Sequence, residues 1–268
     1  MTDWLALCRA AVEDTRRVLA ELPTRAERER VVGDGMGGDD TTAIDAAVER
    51  AVVARLDASG AEFALVSEEL GYRGERGDGA LVVLDPIDGS INAKRGIPFY
   101  ALSVAVAEGA TMDDVVFGYV YDFGASEEWV ALRGEGAQLN GVPLGATRPK
   151  DRIEVLALEA TRTDLVARHA PALVGLAHRL RIMGSLAITL CHLADGRVDA
   201  VCSLRPARSV DIAAAQLLVR ERGLAIDLPD RPPFGSAPLD LEGRSRVVAA
   251  GSEELCRALA AALGEYAL

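Results

Sequence analysis

Apolar residues recur from Leu5 as Cys8, Val12, Leu19 and Leu22, offsets that put them on one face of an amphipathic helix ending near Pro23. A second helical stripe, Ile44, Val48, Val52 and Leu56, follows Thr41 and Thr42, which supply N-caps. Between the two, the stretch from Val32 to Asp40 carries too many glycines for a helix or a strand and reads as a loop feeding a helix N-terminus. Apolar runs bounded by turn residues at 63–67, 80–84, 101–107, 115–121 and 128–132 predict strands of a mixed or antiparallel sheet. Beyond residue 150 the pattern alternates. Strands are expected at 155–158, 180–183, 198–202 and 247–250, with helices from Thr163, over 185–194, over 209–222 and at the end of the chain. Residues 227–243, with four prolines, are the most loop-like stretch. Two layered halves, 1–148 and 149–268, are the expected organisation.

Composition narrows the function classes. Half of the 268 residues are hydrophobic, enough for one large or two closely packed cores. The net charge of −12 repels phosphate backbones and anionic lipid, which disfavours nucleic acid or a membrane surface as partner. Cys8, Cys191, Cys202 and Cys256 show neither CxxC nor Cys/His ligand spacing, so they read as reduced, buried thiols. The acidic N-terminal segment and the lack of a long apolar run lead to the expectation of a cytoplasmic protein.

The chemistry concentrates where the apolar run Leu81-Val82-Val83-Leu84 ends in Asp85-Pro86-Ile87-Asp88-Gly89-Ser90. Pro86 removes a backbone donor and stiffens the chain, so Asp85 and Asp88 can converge while Gly89 and Ser90 present amides to an anion. That combination suits a divalent ion touching a phosphate. Upstream, Ser67-Glu68-Glu69 closes another apolar strand, and Asp85, Glu68 and the Ile87 carbonyl supply part of an oxygen shell for Mg²⁺. Two further acids stand in patterns that ordinary helix capping also produces: Asp211 in the first turn after Ser209, and Asp45 three residues after Thr42.

Taken in order, these segments resemble the inositol monophosphatase family of metal-dependent sugar phosphatases over nearly the whole chain. Asp85 to Ser90 is the most specific element; Glu68 and Glu69, the glycine-rich loop with Asp45, Arg181 to Ser185, Ala194 to Ala200 and Ser209 to Ala214 join it. The segments 37–45 and 92–103 look most like the archaeal-type enzymes that act on both inositol monophosphate and fructose 1,6-bisphosphate. The resemblance implies an α+β or α/β fold, a layered αβαβα sandwich, and a homodimer. It implies two or three Mg²⁺ ions, with Mn²⁺ as substitute, held by Glu68, Asp85, the Ile87 carbonyl, Asp88 and Asp211. Asp45 and Ser90, with Glu68, would activate water, and Gly89, Ser90, Gly184, Ser185 and Leu186 would lie against the substrate.

Three departures from the family pattern shape the substrate expectation. Ser90 stands where Thr is common and keeps the hydroxyl. Asp34 replaces a loop lysine, so that Asp34 or Asp39 could assist a third ion. Ser203 sits where a carboxylate commonly reads inositol hydroxyls, followed by Arg205 and Arg208, and a cationic loop favours a second phosphate. Arg181 is a further candidate for that phosphate, and Lys94 reads equally as a solvated cation. The alternatives are a 3′(2′),5′-bisphosphate nucleotidase and a non-catalytic regulatory binding protein, while His169, His178 and His192 receive no catalytic role.

Overall fold

Burial on both faces of a β-rich run calls for cover on both sides, and the layers follow from that demand. A computed structural model describes residues 2–36, 40–74, 79–146, 151–159, 162–231 and 233–264. The first part of the chain forms α1 (Trp4–Glu21), α2 (Arg25–Arg28), β1 (Val31–Asp34), β2 (Asp40–Thr42), α3 (Ala43–Ala58), β3 (Phe63–Ser67), β4 (Gly71–Arg73) and β5 (Ala80–Asp88). It continues through α4 (Ser90–Arg95), β6 (Ala101–Ala107), β7 (Val115–Asp122), β8 (Glu127–Leu132), β9 (Gly136–Leu139) and β10 (Val142–Pro143). After these come β11 (Ile153–Glu159), α5 (Thr163–Leu173), β12 (Ala177–Arg181), α6 (Leu186–Asp195) and β13 (Ala200–Ser203). The chain closes with α7 (Ser209–Glu221), β14 (Ala225–Asp227), β15 (Val248–Ala250) and α8 (Glu253–Gly264).

Eight strands form one sheet in the order β10-β9-β8-β7-β6-β5-β3-β4, and five form a second in the order β12-β11-β13-β15-β14. Strand alternation sorts their side chains. Leu65, Val82, Leu84, Leu102 and Val104 face α1 and α3, joining Cys8, Val12, Ile44, Val48 and Leu56. Val66, Leu81, Val83 and Ala105 face α6 and α7 on the other side. Those two helices lie between the sheets, since Ala157, Val201 and Ala249 share their core. Leu156, Leu158 and Val248 point outward beneath α5 and α8. The result is the αβαβα sandwich expected from the sequence, and all four cysteines are free and buried. No described helix is long and apolar enough to cross a membrane.

The structure corrects several element assignments. The glycine-rich segment is not wholly a loop, because β1 and β2 pair antiparallel across it, with Asp34 opposite Asp40; residues 37–39 lie outside the described residues. β5 runs on through Asp88 rather than ending at Leu84. The strand expected at 180–183 lies at 177–181, because its position is set by parallel pairing with β11 and its apolar Leu180 and Ile182 are exposed rather than in the core. β4, β9, β10 and β14 were too short for their apolar pattern to announce them.

One close approach sets the spacing of the middle layer. A Cβ added at Gly118 on β7 would lie 2.4 Å from the carbonyl oxygen of Ala214 in α7, so only glycine lets that helix seat on the sheet. Gly118→Ala is expected to cost about 1–3 kcal/mol of stability through overpacking, read as a lower urea midpoint at unchanged m-value.

Candidate active site

Parity along β5 explains why two acids can meet there. Leu81 and Val83 face α6 and α7, so Asp85 points the same way. By simple alternation Asp88, three residues on, would point to the opposite face. It does not, because the ladder with β6 pairs Asp85 with Ser103 and Asp88 with Ala101, leaving Pro86 and Ile87 opposite Leu102 alone. This bulge shifts the alternation by one and returns Asp88 to the α6 side. Proline suits the bulged position because it has no N–H to pair. The Ile87 amide turns inward and donates to Asp85 Oδ1 at 3.0 Å.

α6 receives Asp88 at its N-terminus. The carboxylate accepts from the Ser185 hydroxyl and from the Ala187 amide, the latter at 2.7 Å, where the helix dipole favours negative charge. Ser185 also caps α6 by accepting from the Ile188 amide at 3.2 Å. Glu68 continues the face of Ala64 and Val66 one step past β3, its amide bonded to the Leu84 carbonyl at 3.3 Å. From the middle layer Asp211 accepts from the Arg208 amide at 2.7 Å and so caps α7. Four expected ligands, Glu68, Asp85, Asp88 and Asp211, are thus electrostatically coupled in one cluster.

Arg208 stands inside that cluster. Its Nη2 lies 2.5 Å from Glu68 Oε1 and 2.9 Å from Asp211 Oδ1, with only 11% of the side chain exposed. Burial opposes the guanidinium charge, and Asp211, Glu68 and Asp85 outweigh that penalty. The acids are strained in the opposite sense. Burial lifts Glu68 to about 7, with Arg208 opposing and Asp211 and Glu69 adding to the rise. Burial, then Glu68 and Asp88, hold Asp85 well above the usual carboxylate range. Burial raises Asp88 to about 6 against the Ser185 hydrogen bond, and Asp211 pushes the same way as burial. A cluster of buried oxygens with one internal cation and an excess of negative charge fits a hard divalent ion. Glu68, Asp85, Asp88, Asp211 and the Ile87 carbonyl are the groups that would hold Mg²⁺.

The turn after Asp88 is built for close approach. Gly89 has φ +89°, and a Cβ there would meet the Gly184 and Phe99 carbonyl oxygens at 3.0 Å. α4 begins at half-buried Ser90, and the Asn92 and Ala93 amides are already bonded to the Gly89 carbonyl. Asn92 Nδ2 donates to the carbonyls of Phe99 and Met183, both at 2.8 Å, and so ties this turn to the second half of the chain. In the first turn of α3, Asp45 Oδ2 accepts from the Thr42 hydroxyl at 2.5 Å and the Thr42 amide at 3.3 Å.

Other expected site residues are placed differently. Ser203 is fully buried and its hydroxyl accepts from the Val247 amide at 2.8 Å, so it offers no exposed group for a substrate. Ser185 and Leu186 are buried and hold Asp88, which makes their part indirect; the Leu186 amide is also bonded to it. Gly184 remains exposed, with its amide on Glu159 at 2.8 Å. Arg208 is committed to Glu68 and Asp211 and is no free phosphate grip, whereas Arg205 and Arg181 are exposed. Lys94 is not solvated: its Nζ lies 3.0 Å from Asp45. Asp39 falls outside the described residues.

Glu49 and Glu159 were missed by sequence reading. Glu49 accepts from the Ser67 hydroxyl and from the Glu69 and Leu70 amides, shaping the loop that carries Glu68. Glu159, at the end of β11, accepts from Met183 and Gly184, and burial lifts it to about 8. Each is a lone acid at the edge of an apolar pattern, a weak signal at best. A separate group, Asp122, Glu127 and His192, brings possible ligand atoms within 4.8 Å of one another. Arg197 already occupies both Glu127 oxygens, at 2.6 and 2.8 Å, and approaches His192 Nε2 at 3.3 Å. Asp122 Oδ1 is taken by the Gly124 and Ala125 amides, so the possible ligand atoms of this group are already engaged within the protein and the cluster reads as structural.

Comparison with known proteins places this geometry. The model of the inositol monophosphatase family matches residues 5–267. A fructose-1,6-bisphosphatase/inositol-1-monophosphatase of Methanothermobacter thermautotrophicus is 33% identical over 263 residues, covering 94% of this chain and 93% of its own. One of the same description from Archaeoglobus fulgidus is 33% identical, covering 94% of each chain. A solved structure described as an inositol monophosphatase-fructose 1,6 bisphosphatase superposes with TM-score 0.82 at 26% identity, covering 97% of this chain and 99% of the other.

The raised acids fix the pH dependence of stability. Glu68, Asp85 and Asp88 bind protons more tightly folded than unfolded, so metal-free protein loses stability as pH rises from the unfolded values of about 4 through the native values. Thermal unfolding in chelator should give a higher midpoint near pH 5 than near pH 8, and Mg²⁺ should raise the midpoint most at the alkaline end.

Proposed function

The chain belongs to the inositol monophosphatase family, a family of phosphomonoesterases, and we propose that it hydrolyses fructose 1,6-bisphosphate and inositol 1-phosphate with Mg²⁺. The observation that carries the reading is the bulge at Pro86, which turns Asp85 and Asp88 together toward Glu68 and Asp211 beneath a glycine-led turn. Structural burial alone gives no reason to gather four acids so close.

When bound there, the ion supplies positive charge that offsets the phosphoryl oxygens and acidifies water. The chain's own residues do the rest. Glu68, Asp85, Asp88 and Asp211 hold the cation site, and the α6 amides keep Asp88 ionised and aimed. Gly89 lets this turn pack against the Gly184 and Phe99 carbonyls, which sets the amides that open α4 where they can receive a phosphate. Asp45 and Ser90 orient the attacking water, Asp45 through its buried Oδ1, which has no hydrogen-bond partner among the described residues.

The preference for a bisphosphate rests on position and charge. β12, β11 and β13 run parallel, so their carboxyl ends share one edge of the sheet, the usual place for a ligand. Arg181 ends β12 and Arg205 follows β13 at that edge, both exposed, and a remote phosphate can take bidentate hydrogen bonds from either. The two archaeal relatives are each named as both a fructose-1,6-bisphosphatase and an inositol-1-monophosphatase, which supports the same reading.

Phosphate release from fructose 1,6-bisphosphate, inositol 1-phosphate and adenosine 3′,5′-bisphosphate, with chelator as control, tests the proposal. Turnover of the first two is expected, and a strong preference for the nucleotide overturns it. Asp88→Asn should lower kcat by at least about a hundredfold on either substrate. Arg205→Ala should raise KM for the bisphosphate by about tenfold while leaving inositol 1-phosphate unaffected.

A further inference from the structure

Lys94 is one of only two lysines in the chain, the other being Lys150. It sits at the end of α4, six positions beyond Asp88, and reaches back to the first turn of α3. Its Nζ lies 3.0 Å from Asp45 Oδ2, with the two side chains 15% and 4% exposed. An ion pair so far removed from water is not the fluctuating surface kind.

The geometry at Asp45 is one-sided. Oδ2 takes the Thr42 hydroxyl, the Thr42 amide and the Lys94 ammonium, whereas Oδ1 is buried and makes no hydrogen bond among the described residues. Leaving a buried carboxylate oxygen unpaired is costly unless something arrives to use it. Glu69, held by the Thr41 hydroxyl in the turn between β3 and β4, adds a like charge close to Asp45 and repels it. Lys94 is the cation that touches Asp45 and offsets this repulsion.

We propose that Lys94 is a positioning residue: its ammonium clamps Asp45 Oδ2 so that Oδ1 is presented to the attacking water. This inference rests on the phosphatase reading above. The terminal torsion of a carboxylate is broad, so Thr42 alone would leave the group free to rock about Oδ2. Because Lys94 belongs to the helix that starts at Ser90, the clamp also fixes Asp45 relative to the turn that receives the phosphate. Water and phosphorus are thereby held in one frame, and an error of an ångström in that frame is expensive in rate.

Two measurements test it. With the two lysines ¹³C-dimethylated, Lys94 gives the resonance that Lys94→Arg removes; Asp45→Asn should shift that resonance and leave that of Lys150 in place. Steady-state kinetics then read the role. Lys94→Met should lower kcat roughly tenfold to a hundredfold, with KM and the Mg²⁺ requirement within about twofold. Lys94→Arg should recover part of the loss, and Asp45→Asn with Lys94→Met should be no slower than Asp45→Asn alone. An unshifted resonance, a raised KM at unchanged kcat, or multiplicative losses in the double variant would each overturn the assignment. Wild-type protein inactive on every ester tested overturns the phosphatase reading, and the catalytic role of Lys94 with it. An active wild type with unaffected Lys94→Met overturns the role alone.

Discussion

Buried like charges repel, and in this molecule four carboxylates converge from β3, the end of β5 and the start of α7. Burial dominates the rise in Glu68, Asp85 and Asp88, and their mutual repulsion adds to it. What holds them together is distributed. Ser185 and the α6 amides take Asp88, and Arg208 spans Glu68 and Asp211. Removing one partner of such a network is costly, because the charges left behind stay buried. The surrounding layers therefore serve the cluster, with α6 and α7 seated between two sheets so that their N-termini reach it.

Arg208 and a divalent cation are two answers to the same excess of charge. The guanidinium satisfies two acids through directed hydrogen bonds, whereas an ion would gather oxygens without a side chain's reach. One guanidinium nitrogen, Nη1, is buried without a hydrogen-bond partner among the described residues, so the pairing leaves part of its donor capacity unused.

Much of this was legible in the sequence, and the reason differs by element. The α3 helix announced itself because one interface buries its repeating face, and β6 because both of its faces are buried and almost its whole run is apolar. Asp85 and Asp88 stood out because a proline and two acids at the end of an apolar strand break every local rule for a buried strand. The bulge that lets them point the same way could not be read, since register with β6 is a property of two segments. The same holds for Arg208 and Lys94: both were visible as cations, and neither sequence spacing nor charge said that they face Glu68 and Asp45 from across the fold. Ser203 was misplaced for the opposite reason. It was singled out by its place in the family pattern, and only the pairing with Val247 shows its hydroxyl to be used.

The Asn92 side chain and the Asp88 carboxylate each bind partners more than ninety positions later in the chain, in the 183–187 segment. Contacts of such long sequence separation form late, after loop closure has been opposed by chain entropy. During synthesis the strand carrying Asp85 and Asp88 therefore leaves the ribosome well before α6 exists to receive it. Until then an acid-tipped strand end stays wet rather than buried, which spares the nascent sheet the electrostatic cost of its own centre. The acid cluster and the helix that caps Asp88 are thus completed together, by long-range contacts rather than by the strand alone.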